Sequence, residues 1–124
     1  MFRRFPRFAI AAVLLGGAVN LSACSSNDSQ AVINVAESII IDVRSAEEFA
    51  SGHLEGALNL NVEDGTLQAS LATLDPADSY IVYCRSGRRS AIAVGQMAAA
   101  GFANVTDLGS VEDAAKSTNL AIVN

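Results

Sequence analysis

The sequence predicts an α/β sandwich with a mainly parallel central sheet flanked by helices. Three observations point there. Compact apolar runs rich in Ile, Val and Tyr occur at Ser38–Val43 and Ser79–Cys84, the pattern of strands buried on both faces. Helix signals alternate with strand signals along the chain, the order in which parallel strands are joined by crossovers. Each run ends beside a chemically active residue, Asp42 in the first and Cys84 in the second, and open α/β sheets bind ligands outside the carboxyl ends of their strands.

The elements follow in order. "SIIIDV" (Ser38–Val43) is the first strand. "SAEE" (Ser45–Glu48) sets Ser three residues before Glu, a capping box that opens a short helix through Phe49, ending near Gly52. "GALNL" (Gly56–Leu60) reads as a second short strand. Leu67, Leu71 and Leu74, spaced by four and three, predict an amphipathic helix that "DPAD" closes as a turn. "SYIVYC" (Ser79–Cys84) is a buried strand ending at the cysteine. "RSAIAVGQMAAAG" (Arg89–Gly101) is a helix of small residues with Gly101 as its stop. "NVTDL" (Asn104–Leu108) supplies a last strand, and Ser110 to Lys116 a last helical turn or two. A domain of about 100 residues suffices for a substantial core.

Residues 1–23 are expected to stand outside that fold as a leader. "MFRRFPRF" carries Arg3, Arg4 and Arg7 with no acid, and "AIAAVLLGGAV" follows. A basic segment before an apolar run too short to span a bilayer is a secretory signal. "LSAC", Leu21 to Cys24, resembles the lipobox of bacterial lipoproteins. That similarity implies lipidation of Cys24, cleavage before it, and membrane anchoring, which is stable when two or more acyl chains are attached. Residues 24–31 then form a polar tether and 32–124 the domain. The expected location is the cell envelope, with the domain facing the periplasm. Ser25 resembles an outer-membrane address.

Charge narrows the function classes. The chain has thirteen acids against eight Lys and Arg, net −5. Without the three leader arginines, five cations face thirteen acids, which leaves the domain near −8. Nucleic-acid binding rests on a basic footprint that this surface lacks. Three of those five cations are nonetheless gathered in "YCRSGRRSA", at Arg85, Arg88 and Arg89; the others are Arg44 and Lys116. Such a domain repels polyanions and attracts a small anion at one place. With Cys24 lipidated, Cys84 is the lone thiol, unable to form an internal disulfide and so a candidate reactive group. The plainer possibility is a small buried hydrophobe.

Local physics favours reactivity. The cysteine ends a buried strand and a helix opens a few residues later, so loop and first-turn N–H groups lack intrahelical partners. They form an anion-binding nest at the positive end of a helix dipole. Gly87 permits the backbone conformation such a loop needs. A thiol held there is stabilised as thiolate, and the same groups hold an anionic substrate, the arrangement for nucleophilic catalysis by cysteine.

"IDVRSAEEFASGHLEGALNL" followed by "IVYCRSGRRS" resembles the rhodanese family of sulfurtransferases, from about Ser38 to Leu108, and most nearly its small, single-domain, exported thiosulfate sulfurtransferases. The resemblance implies a rhodanese-like three-layer sandwich. It implies that Cys84 takes the outer sulfur of thiosulfate as a persulfide and passes it to cyanide or a thiol, a protein acceptor included. Loop residues Arg85, Ser86, Gly87, Arg88, Arg89 and Ser90 would bind the substrate, unless Arg89 instead braces the helix. Asp42 and Arg44 would lie beside the loop and fix it through charge-assisted hydrogen bonds. Plainer roles are a strand-end cap for Asp42 and a surface pairing of Arg44 with Glu47 or Glu48. No metal or organic cofactor is implied. His53 matches a family position that is usually structural.

Cysteine phosphatases use Cys-x₅-Arg, whereas here the spacing is Cys-x₄-Arg and the sixth residue is Ser90. The tighter loop suits a sulfane sulfur better than a phosphoryl group, so phosphatase and arsenate reductase chemistry rank below sulfur transfer. A tethered persulfide carrier would use the same loop and the same half-reaction. A non-catalytic binding module of the same family is marked by loss of the cysteine, which is present here. In "DLGSVEDAA" Ser110 stands where many relatives have glycine before a tryptophan, which bears on acceptor preference.

Overall fold

The computed structural model describes residues 33–124; the leader, the lipobox and the tether lie outside the described residues. The first strand, β1 (Ser38–Asp42), follows a single 3₁₀ turn at Val35–Glu37. Then come α1 (Ala46–Ser51), β2 (His53–Leu54), β3 (Leu58–Asn59), α2 (Thr66–Ser70), β4 (Ser79–Cys84), α3 (Arg88–Ala99), β5 (Val105–Ser110), α4 (Val111–Thr118) and β6 (Ile122–Val123). Strands β3, β1, β4 and β5 form one sheet in that order, every pair parallel. A separate two-stranded antiparallel pairing joins β2 to β6.

Period-two alternation divides the core. Tyr80, Val82 and Cys84 of β4 join Ile41 and Val43 on one face, packed with Leu67 and Leu71, and with Ala93 and Met97 of α3. Ile81 and Tyr83 turn to the other face with Ile40, meeting Leu54 and the α4 residues Val111 and Ala114. Both faces are covered, which is why the central strands read as continuous apolar runs rather than alternating ones.

The α/β class is as the sequence predicts, and so is half of the capping box: Ser45 Oγ accepts from Glu48 N–H at 3.3 Å, while the Glu48 carboxylate meets Ser45 Oγ and Arg89 rather than Ser45 N–H. Several boundaries differ. The leucine helix is shorter than its spacing suggests: Leu67 and Leu71 are buried, but α2 stops at Ser70. There Thr73 N–H turns back to Ser70 O at 3.0 Å and Thr73 Oγ1 bonds the same carbonyl, a local competitor to helix propagation. Strand β3 pairs over two residues only, although Leu60 N–H extends the contact to Asp42 O at 2.9 Å. Helix α3 begins at Arg88 rather than Arg89, so the loop after Cys84 is three residues. The β2–β6 pairing has no counterpart among the sequence expectations.

Candidate active site

Cys84 ends β4 at the carboxyl edge of the sheet, and Arg85–Gly87 turn the chain into α3. Gly87 caps the helix at φ +96°, a left-handed conformation in which a side chain is strained. Its N–H points back at the thiol, 2.9 Å from Sγ. Ser90 Oγ lies 3.5 Å from Sγ and 3.1 Å from Gly87 O, and both Cys84 and Ser90 are fully buried. Burial pushes the Cys84 thiol up. Hydrogen bonding with the Ser90 hydroxyl and from the N–H groups of Ser90, Gly87 and Ser86 outweighs it, so the net displacement is downward. Unpaired donors of a helix's first turn thus converge on one sulfur, as expected where a thiolate is to be stabilised.

A pocket of about 410 Å³ opens above, lined by Glu63, Ser86, Arg88, Arg89 and Ile92. Cys84 itself is not part of this lining, whereas Ser86, Arg88 and Arg89 that follow it are. Arg85 is exposed and outside the lining; Arg88 is exposed and part of it. A second concavity of about 310 Å³ lies at the opposite ends of the strands, around Ser38, Ser79 and Asn104, with neither cysteine nor arginine in its lining.

Arg89 does not offer its charge to the pocket. Its Nη1 and Nη2 donate to Glu48 Oε1 and Oε2 at 2.7 and 2.8 Å, and its Nε faces Glu63 Oε1 at 3.5 Å. The bracing role is the one the structure shows: the guanidinium ties the start of α3 to α1. The Arg89 hydrogen bonds bring the Glu48 carboxyl down to about 2 against its partial burial.

Asp42 and Arg44 also differ from expectation. The two are buried and paired, with Arg44 Nε 2.9 Å from Oδ1 and Nη2 2.6 Å from Oδ2 of Asp42. Arg44 continues to Gly52 O at 2.6 Å, and its guanidinium carbon sits 5.7 Å from the centre of the Tyr83 ring. Tyr83 is on the sheet face opposite Cys84. Among the described residues neither side chain bonds the loop 85–90; the pair fastens the end of β1 to the α1–β2 turn. Neither a surface partner for Arg44 nor a cap by Asp42 alone describes this. His53 stacks on Phe49, ring centres 3.6 Å apart, with Nδ1 2.8 Å from Phe49 O, a structural placement.

Three contributors carry no sequence signal of their role. Asn59 Nδ2 donates to Asp42 O and Arg44 O at 3.2 and 2.9 Å, fixing the strand end. Gly109, at φ +75°, brings its Cα within 3.6 Å of where a side chain on Gly87 would begin. Glu63 stands at the pocket mouth. No spacing rule joins such distant positions; only the capping role of Glu48 was visible locally.

A cysteine cradled by helix-terminal donors at the carboxyl edge of a parallel sheet makes this an α/β domain with a candidate thiolate site. More narrowly, the chain belongs to the rhodanese-like domain family, whose model matches residues 25–115. It is 32% identical over 75 residues to thiosulfate sulfurtransferase PspE of Escherichia coli, covering 60% of this chain and 72% of that protein. Thiosulfate sulfurtransferase 18 of Arabidopsis thaliana is 33% identical over 81 residues, 56% of this chain; the match spans only 60% of the plant protein. Among solved structures, a rhodanese with anions from Escherichia coli is similar at 30% identity and TM-score 0.55, covering 61% of this chain and 89% of that one. A rhodanese-like domain from Anabaena gives 25% identity and TM-score 0.61, covering 70% and 99%.

Proposed function

We propose that the protein is a thiosulfate sulfurtransferase working through a persulfide on Cys84. The observation that carries this reading is the geometry of the thiol: Gly87 N–H at 2.9 Å and Ser90 Oγ at 3.5 Å, in a Cys-x₄-Arg loop. The relatives named as thiosulfate sulfurtransferases support it.

In the first half-reaction the Cys84 thiolate attacks the outer sulfur of thiosulfate. The Sγ–S bond forms, the S–S bond of thiosulfate breaks, and sulfite leaves with that bond's electron pair. The product is Cys84–S–S⁻, whose terminal sulfur carries the charge the thiolate had. In the second, cyanide or a thiolate attacks that terminal sulfur, leaving as thiocyanate or a new persulfide and restoring the Cys84 thiolate. No proton must move at either step once the thiol is ionised, so neither His53 nor another base is required. Arg88 and Ser86 receive the donor at the pocket, and the loop N–H groups hold the negative sulfur.

Export as a lipoprotein, with Cys24 lipidated and the domain held at the outer membrane on its periplasmic side, is part of the same proposal and rests on the leader and "LSAC". Among the described residues no helix is long and apolar enough to cross a membrane. Incubation with thiosulfate followed by mass measurement tests the chemistry. The Cys84 peptide is expected to gain one sulfur atom and lose it to cyanide, and Cys84→Ser to gain none. A folded protein whose Cys84 stays unmodified would overturn the reading.

A further inference from the structure

We propose that Glu63 is a specificity-determining residue of this pocket, placed to weaken the hold on compact dianions relative to donors of lower charge. The proposal rests on the sulfur-transfer reading for its substrate and on geometry for its charge. The sequence gathers Arg85, Arg88 and Arg89 around the thiol, with a bracing role open to Arg89, and in the structure Arg89 is engaged by carboxylates. Arg89 donates from Nη1 and Nη2 to Glu48 and has Nε 3.5 Å from Glu63, so its charge is already matched by carboxylates before an anion arrives. Of the charges in the pocket lining, Arg88 and Arg89 are opposed by Glu63, with Glu48 directly behind.

Glu63 is not a loosely attached surface acid. Its N–H donates to Asn61 Oδ1 at 2.8 Å. The preceding residue, Val62, bonds Val43 O at 3.2 Å and packs against the core. The β3–α2 loop is therefore held at Val43, just beyond β1, and presents one carboxylate, two-thirds exposed, to the pocket that Arg88 also lines. An anion approaching Cys84 passes this charge, and a dianion feels it twice as strongly as a monoanion. Exposure and salt limit the effect to a modest factor. Ile92, half exposed on the same rim, offers apolar contact to a donor with an organic substituent, which inorganic thiosulfate lacks.

The test compares the full chain with Glu63→Gln, Glu63→Lys and, as a control, Glu112→Gln, which makes the same charge change on α4, outside the pocket lining. Alkylation of Cys84 by iodoacetate and by iodoacetamide is followed at low salt by mass of the Cys84 peptide. The iodoacetate-to-iodoacetamide rate ratio is expected to rise about two- to fivefold in Glu63→Gln and further in Glu63→Lys. It should converge on the unaltered protein's ratio at high salt and stay unchanged in Glu112→Gln. Local unfolding would accelerate both reagents, so the ratio isolates charge. In the same series the thiosulfate concentration giving half-maximal persulfide formation is expected to fall about three- to tenfold in Glu63→Gln. Equal ratios in all four proteins, or an equal rise in Glu112→Gln, would overturn the proposal even if sulfur transfer proceeds. A ratio that shifts as expected while no protein gains sulfur would instead overturn the sulfurtransferase reading and leave Glu63 as the charge filter of the thiol.

Discussion

Ser90 is the residue on which the ionisation of Cys84 most visibly turns. Burial alone would keep this thiol protonated, and the hydroxyl is foremost among the groups that offset it. Removing it in Ser90→Ala should raise the midpoint of the Cys84 alkylation profile and slow alkylation near pH 7 severalfold. An unchanged profile would mean that the backbone donors suffice. Arg88 is the arginine of the lining whose side chain has no carboxylate partner among the described residues. Arg88→Ala is accordingly expected to raise the half-saturating thiosulfate concentration by about tenfold, with a smaller effect on a neutral alkylating agent. Arg89→Ala should act differently, through loss of the α1–α3 brace. The sequence leaves Arg89 open to either role by its place at the loop end, and its contact with Glu48 separates it from Arg88.

At the scale of elements, the site is a junction, β4 to α3, steadied by α1. Gly87→Ala places a side chain at φ +96° with ordinary room around it, so its cost is conformational, about 1–2 kcal/mol. It would also displace the N–H that faces Sγ, giving lower stability together with slower persulfide formation. The Glu48–Arg89 brace is expected to be pH-dependent in a definite direction. The Glu48 carboxyl titrates near 2 when folded and near ~4.3 when unfolded, so the unfolded chain takes up protons first as pH falls. The contribution is present above about pH 4.3 and disappears as pH drops through 2. Both side chains are partly exposed, 19% and 28%, which reduces the expected value to about 1–2 kcal/mol. Urea unfolding should show Glu48→Gln less stable by that amount at pH 6, with the gap closing between those limits. A constant gap would mean the loss is packing rather than charge.

The whole molecule adds a closure that no local pattern announced. Strand β6 pairs with β2, His53 opposite Val123 and Leu54 opposite Ile122, and Glu55 N–H reaches Ala121 O at 2.9 Å. The chain end thereby covers Leu54, which is fully buried, beneath the Tyr83 hydroxyl that accepts its N–H at 3.0 Å. Deleting residues 121–124 should cost about 1–2 kcal/mol in urea unfolding, with the Cys84 chemistry retained in the folded fraction. Equal loss of chemistry and stability would tie β6 to the catalytic face instead.

The amino-acid sequence by itself determined the order of strands and helices, the helix cap at Ser45, and the place of Cys84 at a strand–helix junction. Those features follow from periodicity, end caps and backbone preference, all of which act over a few residues. Tertiary structure decided where the charges go. Arg89 meets a carboxylate 41 positions away, and Asp42 and Arg44 turn to the sheet face opposite the thiol. Asn59 arrives from β3 and Glu63 from the β3–α2 loop, at spacings to the site that carry no signal. Ion pairs are chosen by which elements the fold brings within a few ångströms, so the sequence could locate the thiol and its loop but not decide which arginine remains for the substrate.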